Sequence, residues 1–264
     1  MTSIKIPPDH PRAKSLTIRE KLIEHYLEGI VAASGLIAHG RGEAFDYLLS
    51  EKTSRPALEG IQAAAAMLLT AENPVISVNG NTAALVAEEI VKLANVTEAK
   101  IEVNLFYRSL GRELAIKKLL EKAGAREVLG VGRKASARIL ELSSERRRVD
   151  PRGIMAADVV LVPLEDGDRT EALVRMGKKV IAIDLNPLSR TAQKATITIV
   201  DNIVRAAPSL VQAAEKLKKR GIGKCGEILL NFDNKKNLAG SIILMNENLT
   251  KFAEKTVRIT NKGE

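Results

Sequence analysis

The sequence predicts an α/β fold: a doubly wound, mostly parallel sheet, with a helical region before it and helical additions after it. Three observations predict this. From Pro74 onward, six short apolar runs recur with helical segments between most of them, the pattern of parallel strands joined by crossover helices. Before Pro74 the apolar residues repeat at helical spacing instead. The 264 residues, 45% of them hydrophobic, are ample for a sizeable core.

Each element follows in order. Ser15 to about Val31 carries apolar residues at 16, 22, 23, 26, 27, 30 and 31, one stripe of a helix. Gly42–Leu49 predicts a short second helix, and Pro56, favourable at a helix start, opens the alanine-rich Ala57–Leu69. Strands are expected at Val75–Val78, Ile101–Phe106, Glu127–Val131, Val159–Pro163, Val180–Asp184 and Thr196–Val200. Helices are expected at Thr82–Leu93, Ser109–Ala123, Lys134–Ser143 and Asp168–Met176. Thr82 is the expected N-cap of the first, and Asp168 with Glu171 resembles a capping box with aspartate in place of Ser/Thr. Leu185–Ala195 is short enough for a turn or a loop. A helix over Asn202–Lys219, interrupted or offset near Pro208, comes next. In the tail, Asn237–Phe252 places Leu238, Ile242, Met245, Leu249 and Phe252 on one side, a face for packing or a dimer contact. With no internal repeat or low-complexity linker, one domain over 1–264 is expected: a helical region 1–72, a sheet core 73–205, and C-terminal helices with a tail over 206–264.

Composition excludes several function classes. No run of 18 apolar residues exists and MTSIKIPPDHPRAK lacks an apolar signal core, so a cytoplasmic protein without membrane attachment is expected. One cysteine and three histidines do not assemble a familiar zinc cluster, and no protein-borne metal site is expected. The net charge of +9 suits nucleic acid or small anionic substrates equally. Four Phe, three Tyr and no Trp make a poor base-stacking platform, so nucleic acid is disfavoured. The basic run Arg146-Arg147-Arg148 reads as a solvated helix end.

In open α/β sheets ligands bind beyond the carboxyl ends of the strands. The residues there are Asn79-Gly80-Asn81, Tyr107-Arg108-Ser109, Gly132-Arg133-Lys134, Glu165-Asp166, Asp184-Leu185-Asn186 and Asp201-Asn202. They mix anion binders with carboxylates and amides, a combination that fits a nucleotide. The turn Asn79-Gly80-Asn81-Thr82 joins a strand to a helix whose first N–H groups would attract an anion. It matches neither the dinucleotide glycine pattern nor a Walker A loop, and a plain βα turn explains it as well. Asp184 either accepts hydrogen bonds from ribose or starts a turn before Pro187, and nearby Arg190 favours the ligand. Capping alone would explain one of Asp201 and Asn202. Arg19 falls near the centre of the first helix's apolar arc, where it must snorkel, pair with a carboxylate or meet a bound anion. Arg41 lies in His39-Gly40-Arg41-Gly42, either a flexible loop or a backbone open to a ligand, and His39 is the one histidine to test as an acid–base group.

The stretches IPPDHPRAKSLTIREKL, SGLIAHGRGEAFDYLL, PVISVNGNTAAL and IAIDLNPLSRTAQKATITIVDNIVRA together resemble the archaeal phosphopantothenate synthetases, or 4-phosphopantoate–β-alanine ligases, over nearly the whole chain. The resemblance implies a homodimer with a Rossmann-like fold that joins 4-phosphopantoate to β-alanine in coenzyme A biosynthesis. ATP with Mg²⁺ drives the reaction, through an acyl-adenylate, to 4′-phosphopantothenate, AMP and diphosphate. It also implies that Arg19, Arg41, Asp184, Leu185, Asn186, Arg190, Thr191, Asp201 and Asn202 contact ATP. Asn79, Gly80 and Asn81 are then expected to hold 4-phosphopantoate through backbone N–H groups and the two amides, with Gly80→Val as the probe. Arg108 and Arg112 are further candidates for the substrate phosphate, although Arg112, inside a helix, reads equally as solvated. The rival expectations are a basic nucleic-acid-binding protein and a dinucleotide-dependent oxidoreductase. The latter would share the strand-end aspartate but lacks its glycine fingerprint.

Overall fold

Five of the apolar runs form one sheet in the computed structural model, which describes residues 6–164 and 166–260. Three helices come first: α1 (Ala13–Leu27), α2 (Ala33–Leu48) and α3 (Arg55–Thr70). The α/β series follows as β1 (Pro74–Val78), α4 (Gly80–Thr97), β2 (Lys100–Val103) and α5 (Leu110–Lys122). A small antiparallel pair, β3 (Ala137–Arg138) and β4 (Arg148–Val149), precedes β5 (Val159–Pro163), α6 (Gly167–Arg175), β6 (Lys179–Ile183), α7 (Arg190–Lys194) and β7 (Ile197–Ile199). The chain closes with α8 (Ile203–Arg220), α9 (Cys225–Asn231) and α10 (Asn234–Thr260).

The sheet order is β2-β1-β5-β6-β7, every pair parallel. The strands alternate their side chains between two cores, as the period of two requires. Ile76, Val78, Leu161, Ile181 and Ile183 pack with the buried faces of α3, α4, α5 and α8. Val75, Val160, Val162, Val180 and Ala182 pack with Leu173 of α6 and with Ile139, Val149 and Ile154. Each of these Val, Leu and Ile side chains removed from water contributes roughly 1.5–3 kcal/mol. The result is a doubly wound, Rossmann-like sheet. Its order reverses between β1 and β5, which makes the crevice beyond these two strands the place for a ligand.

Several expectations need correction. The first helix ends at Leu27, because Gly29 adopts φ +76° and turns the chain. The second runs from Ala33 to Leu48, so His39-Gly40-Arg41-Gly42 is helical and no loop. Packing explains this override of glycine's poor helix propensity. A Cβ at Gly35 would lie 2.3 Å from Asn81 Oδ1, and one at Gly42 would lie 3.4 Å from Leu185 Cδ1. Strand β2 stops at Val103, short of Phe106. Glu127–Val131 contributes a single bridge, Leu129 to Glu102, because Gly130 turns the chain at φ +77°. Lys134–Ser143 is not a helix. It holds the end of a short 3-10 turn and then β3, which β4 pairs, while the Asn104 amide donates to the carbonyls of Arg146 and Arg148. The N-cap of α4 is Asn79 in place of Thr82, and that of α6 is Asp166 in place of Asp168. Leu185–Ala195 contains the short α7, and α8 runs unbroken through Pro208. In the tail, Leu238 and Met245 are buried, while Leu249 and Phe252 are exposed. Among the described residues no helix is long and apolar enough to cross a membrane.

Candidate active site

Five helices start at the carboxyl edge of the sheet, each capped by a polar side chain, and the caps of α4, α6, α7 and α8 face one another. Asn79 Oδ1 accepts from Thr82 N–H, Asp166 Oδ1 from Arg169 N–H, Ser189 Oγ from Ala192 N–H and Asn202 Oδ1 from Val204 N–H. Short βα turns ending in Asn, Asp or Ser are what the sequence offers there, and such caps fix where each helix begins. The amino ends of α4, α6, α7 and α8 thus border one cleft of about 610 Å³, and α2 walls it from the other side. Partial positive charge at helix starts favours an anionic occupant.

The structure brings together most of the residues read from the sequence. Arg41, Asn79, Gly80, Asn81, Asp184, Leu185, Asn186, Arg190, Thr191 and Asn202 all line the cleft. Arg19 and Asp201 do not. Arg19 reaches Glu43 of α2 at 2.7 Å, so of its three options the carboxylate pair is the one seen. Asp201 is fully buried and accepts from Thr53 Oγ1 at 2.7 Å, Arg205 Nε at 2.9 Å and Asn202 N–H at 2.8 Å. It holds the start of α8 in place, while its neighbour Asn202 caps the helix. Of the other strand-end residues, Gly132-Arg133-Lys134 lies outside the lining and Glu165 falls outside the described residues.

The two amides of the first turn are already bonded within the protein. Asn79 Nδ2 donates to the carbonyls of Pro163 and Leu164, stitching β1 to β5 across the crevice, and Asn81 Nδ2 donates to Gly35 O of α2. The Gly80 and Asn81 N–H groups are the open donors of that turn. Gly80 itself is needed for packing, since a Cβ there would lie 2.3 Å from the Ile30 carbonyl oxygen. Gly80→Val would therefore disturb the fold before it reported on a ligand.

Asp184 sits deep in the wall. Its carboxylate accepts from Asn186 N–H at 2.9 Å and from the Ser189 hydroxyl, so the turn before Pro187 is present as well. Burial pushes its pKa up, against those two bonds and the charge of Arg41. Burial also pushes the His39 imidazole below its ordinary value, with Arg19 adding to the effect and Glu43 and Asp46 opposing it. A neutral His39 on the cleft wall is equipped to take a proton.

Sequence reasoning missed Arg146. It is 7% exposed, lines the cleft and pairs with Asp166 at 2.8 Å, so its reading as a solvated helix end is overturned. Nothing local announces this, because β3 and β4 bring the basic run inward only through pairing. Phe106 and Tyr107 also line the cleft, half-exposed and edge-to-face at 5.1 Å. Among the described residues no group of three or more His, Cys, Asp or Glu could hold a metal ion. Mg²⁺ carried on phosphates needs only one or two carboxylates, and Asp184 and Asp166 on this wall could supply them.

The family model described as phosphopantothenate/pantothenate synthetase matches residues 56–248. A protein of Thermococcus onnurineus named 4-phosphopantoate–β-alanine ligase is 54% identical over 252 residues, covering 95% of this chain and 96% of the relative. Proteins of the same name from Thermococcus kodakarensis and Methanosarcina mazei are each 52% identical, covering 96% and 95% of this chain and 97% and 98% of their own lengths. The cleft described above thus belongs to a chain aligned with these relatives almost end to end, and the chain is a member of the phosphopantothenate/pantothenate synthetase family.

Proposed function

We propose that the chain is an ATP-dependent ligase that joins 4-phosphopantoate to β-alanine, giving 4′-phosphopantothenate, AMP and diphosphate. The observation that carries it is one cleft with helix starts and cations at both ends, in a chain more than half identical to proteins named for that reaction. ATP occupies the side formed by the ends of β6 and β7. Asp184, Leu185, Asn186, Arg190, Thr191 and Asn202 line it, and Arg41 approaches from α2. Arg19 acts there through Glu43, and Asp201 through Asn202 and Arg205. 4-Phosphopantoate occupies the side at the end of β1, against the open N–H groups of Gly80 and Asn81.

A carboxylate is a poor electrophile. Its oxygen attacks the α-phosphorus of ATP, diphosphate leaves, and the mixed anhydride accepts the β-alanine amine with loss of AMP. Both partners of the first step are anions, so the cleft must offset their repulsion while holding them in line. Magnesium, carried on the nucleotide, would supply further phosphate charge neutralisation. His39, neutral and at the wall, is placed to take the amine proton. The protein works in this reading as a cytoplasmic homodimer, and the exposed Leu249 and Phe252 of α10 offer an apolar contact face.

The test is to incubate the protein with ATP, Mg²⁺, 4-phosphopantoate and β-alanine and to quantify AMP and ADP, omitting each substrate in turn. AMP that requires both organic substrates is the expected result. ADP would keep the ligase and replace the adenylate route with an acyl phosphate. With neither, the proposal fails, and thermal shifts with ATP–Mg²⁺, NAD and duplex DNA would identify which ligand class binds.

A further inference from the structure

Four arginines line the cleft, and the structure sorts them by their partners. Arg146 pairs with Asp166 at 2.8 Å and Arg190 pairs with Asp168. Nearby Arg108, another candidate for the substrate phosphate, is closed off by Glu113 and by the carbonyls of Gly130 and Arg148. Among the described residues, Arg41 and Arg112 have no carboxylate within ion-pair distance.

Arg112 is the less expected of the two. It lies in the first turn of α5, at the edge of the sheet beyond β2, and it is half-buried. Its guanidinium donates to backbone carbonyls alone, those of Ile30 (2.9 Å) and Tyr107, and its buried Nε has no acceptor. Burial lowers its pKa, and the charge of Arg146 lowers it further. The same guanidinium stands at the start of α4, where a Cβ on Gly80 would lie 3.1 Å from its Nη2. A desolvated cation beside a second cation and a helix N-terminus is unfavourable until an anion joins it.

We infer that Arg112, together with the first turn of α4, binds the phosphate of the acid substrate and so makes the enzyme choose the phosphorylated acid over the unphosphorylated one. The placement separates this phosphate from those of the nucleotide. Arg112 follows β2, whereas Asp184 follows β6, three inter-strand spacings or roughly 14 Å away across the sheet. The acid lies within that span, with its carboxylate toward the nucleotide and its phosphate toward Arg112. A guanidinium can meet a phosphate with two parallel N–H donors, which a neutral hydroxyl in the same place cannot match.

The inference rests on the ligase reading, and the experiment separates the two. AMP formation is followed in the wild type, Arg112→Gln and Arg112→Lys, with the KM for 4-phosphopantoate, the KM for ATP and the inhibition constant of pantoate measured for each. If the wild type forms no AMP with 4-phosphopantoate, the ligase reading fails and the inference falls with it. Otherwise Arg112→Gln is expected to raise the KM for 4-phosphopantoate on the order of 10- to 100-fold. The ratio of the pantoate constant to that KM shrinks by a similar factor, while the KM for ATP and the ATP-induced thermal shift stay within about twofold of wild type. Arg112→Lys keeps the charge without the fork and falls between the two. An unchanged ratio in Arg112→Gln overturns the inference. So does an equal rise in the constants for ATP and the acid, which would leave Arg112 a brace for the Ile30 and Tyr107 carbonyls or a ligand of the nucleotide's own phosphates.

Discussion

Glu102 shows what a single residue contributes apart from the cleft. It is fully buried on β2, where one oxygen accepts from Asp150 N–H at 2.9 Å and the other from Ile154 N–H at 2.6 Å. Burial raises its pKa to about 7, against those two bonds and the charge of Arg169. Between its ordinary value and about 7 the folded protein holds a proton that the unfolded chain has released. Stability from this group is therefore full below the ordinary carboxylate range and declines as pH rises through about 7, by roughly 3 kcal/mol. Denaturant midpoints measured from pH 5 to pH 8 should show Glu102→Gln removing that decline. A difference curve between variant and wild type that is flat with pH would refute it. Glycine at position 80 teaches a different lesson: a strand-end glycine invites a ligand-centred reading, while the structure shows the Ile30 carbonyl in the space a side chain would need.

At the scale of elements, α2 departs from expectation in its first turns and walls the cleft. It carries His39, Arg41 and Glu43, and its position depends on Asp46. Asp46 is buried and bonds Arg205 of α8 at 2.5 Å and Asn202 Nδ2 at 2.9 Å. Removing one partner of such a network leaves the other charge poorly compensated. Asp46→Ala is expected to lower stability by about 3 kcal/mol and to raise the KM for ATP more than that for 4-phosphopantoate. Unfolding curves and initial rates check both, and an effect confined to the acid substrate would contradict the placement of the nucleotide. The helix itself was half legible. Its apolar residues from Phe45 onward predict the last turns, but the glycines at 35, 40 and 42 hide the first turns, because Gly35 packs against Asn81 and Gly42 against Leu185 and a single-sequence pattern does not register packing.

The whole molecule adds a long-range field. With a net charge of +9 and a cleft ringed by helix starts, anionic substrates should be steered toward the site, and kcat/KM for 4-phosphopantoate should fall as salt is raised. Stopped-flow or initial-rate measurements across ionic strength test this. A kcat/KM indifferent to salt would leave the charge unconnected with substrate capture.

The sequence by itself determined the α/β class, because strand and crossover periodicities are local and recur along the chain. It also determined where to look, since strand ends and their capping residues are marked by Asn, Asp, Ser and Gly. Most of the residues read there do line one cleft. Only the tertiary structure decided which charges are free. Arg19, Arg108, Arg146 and Arg205 are held by carboxylates from other segments or other turns, while Arg112 is not, and sequence spacing does not distinguish them. Nor could a local pattern foresee that Lys134–Ser143 would give up a helix for β3 and its neighbouring turns, because Asn104 and β4 arrive from elsewhere in the chain. Propensity and capping act within a few residues, whereas charge compensation and strand pairing depend on partners that the fold alone brings close.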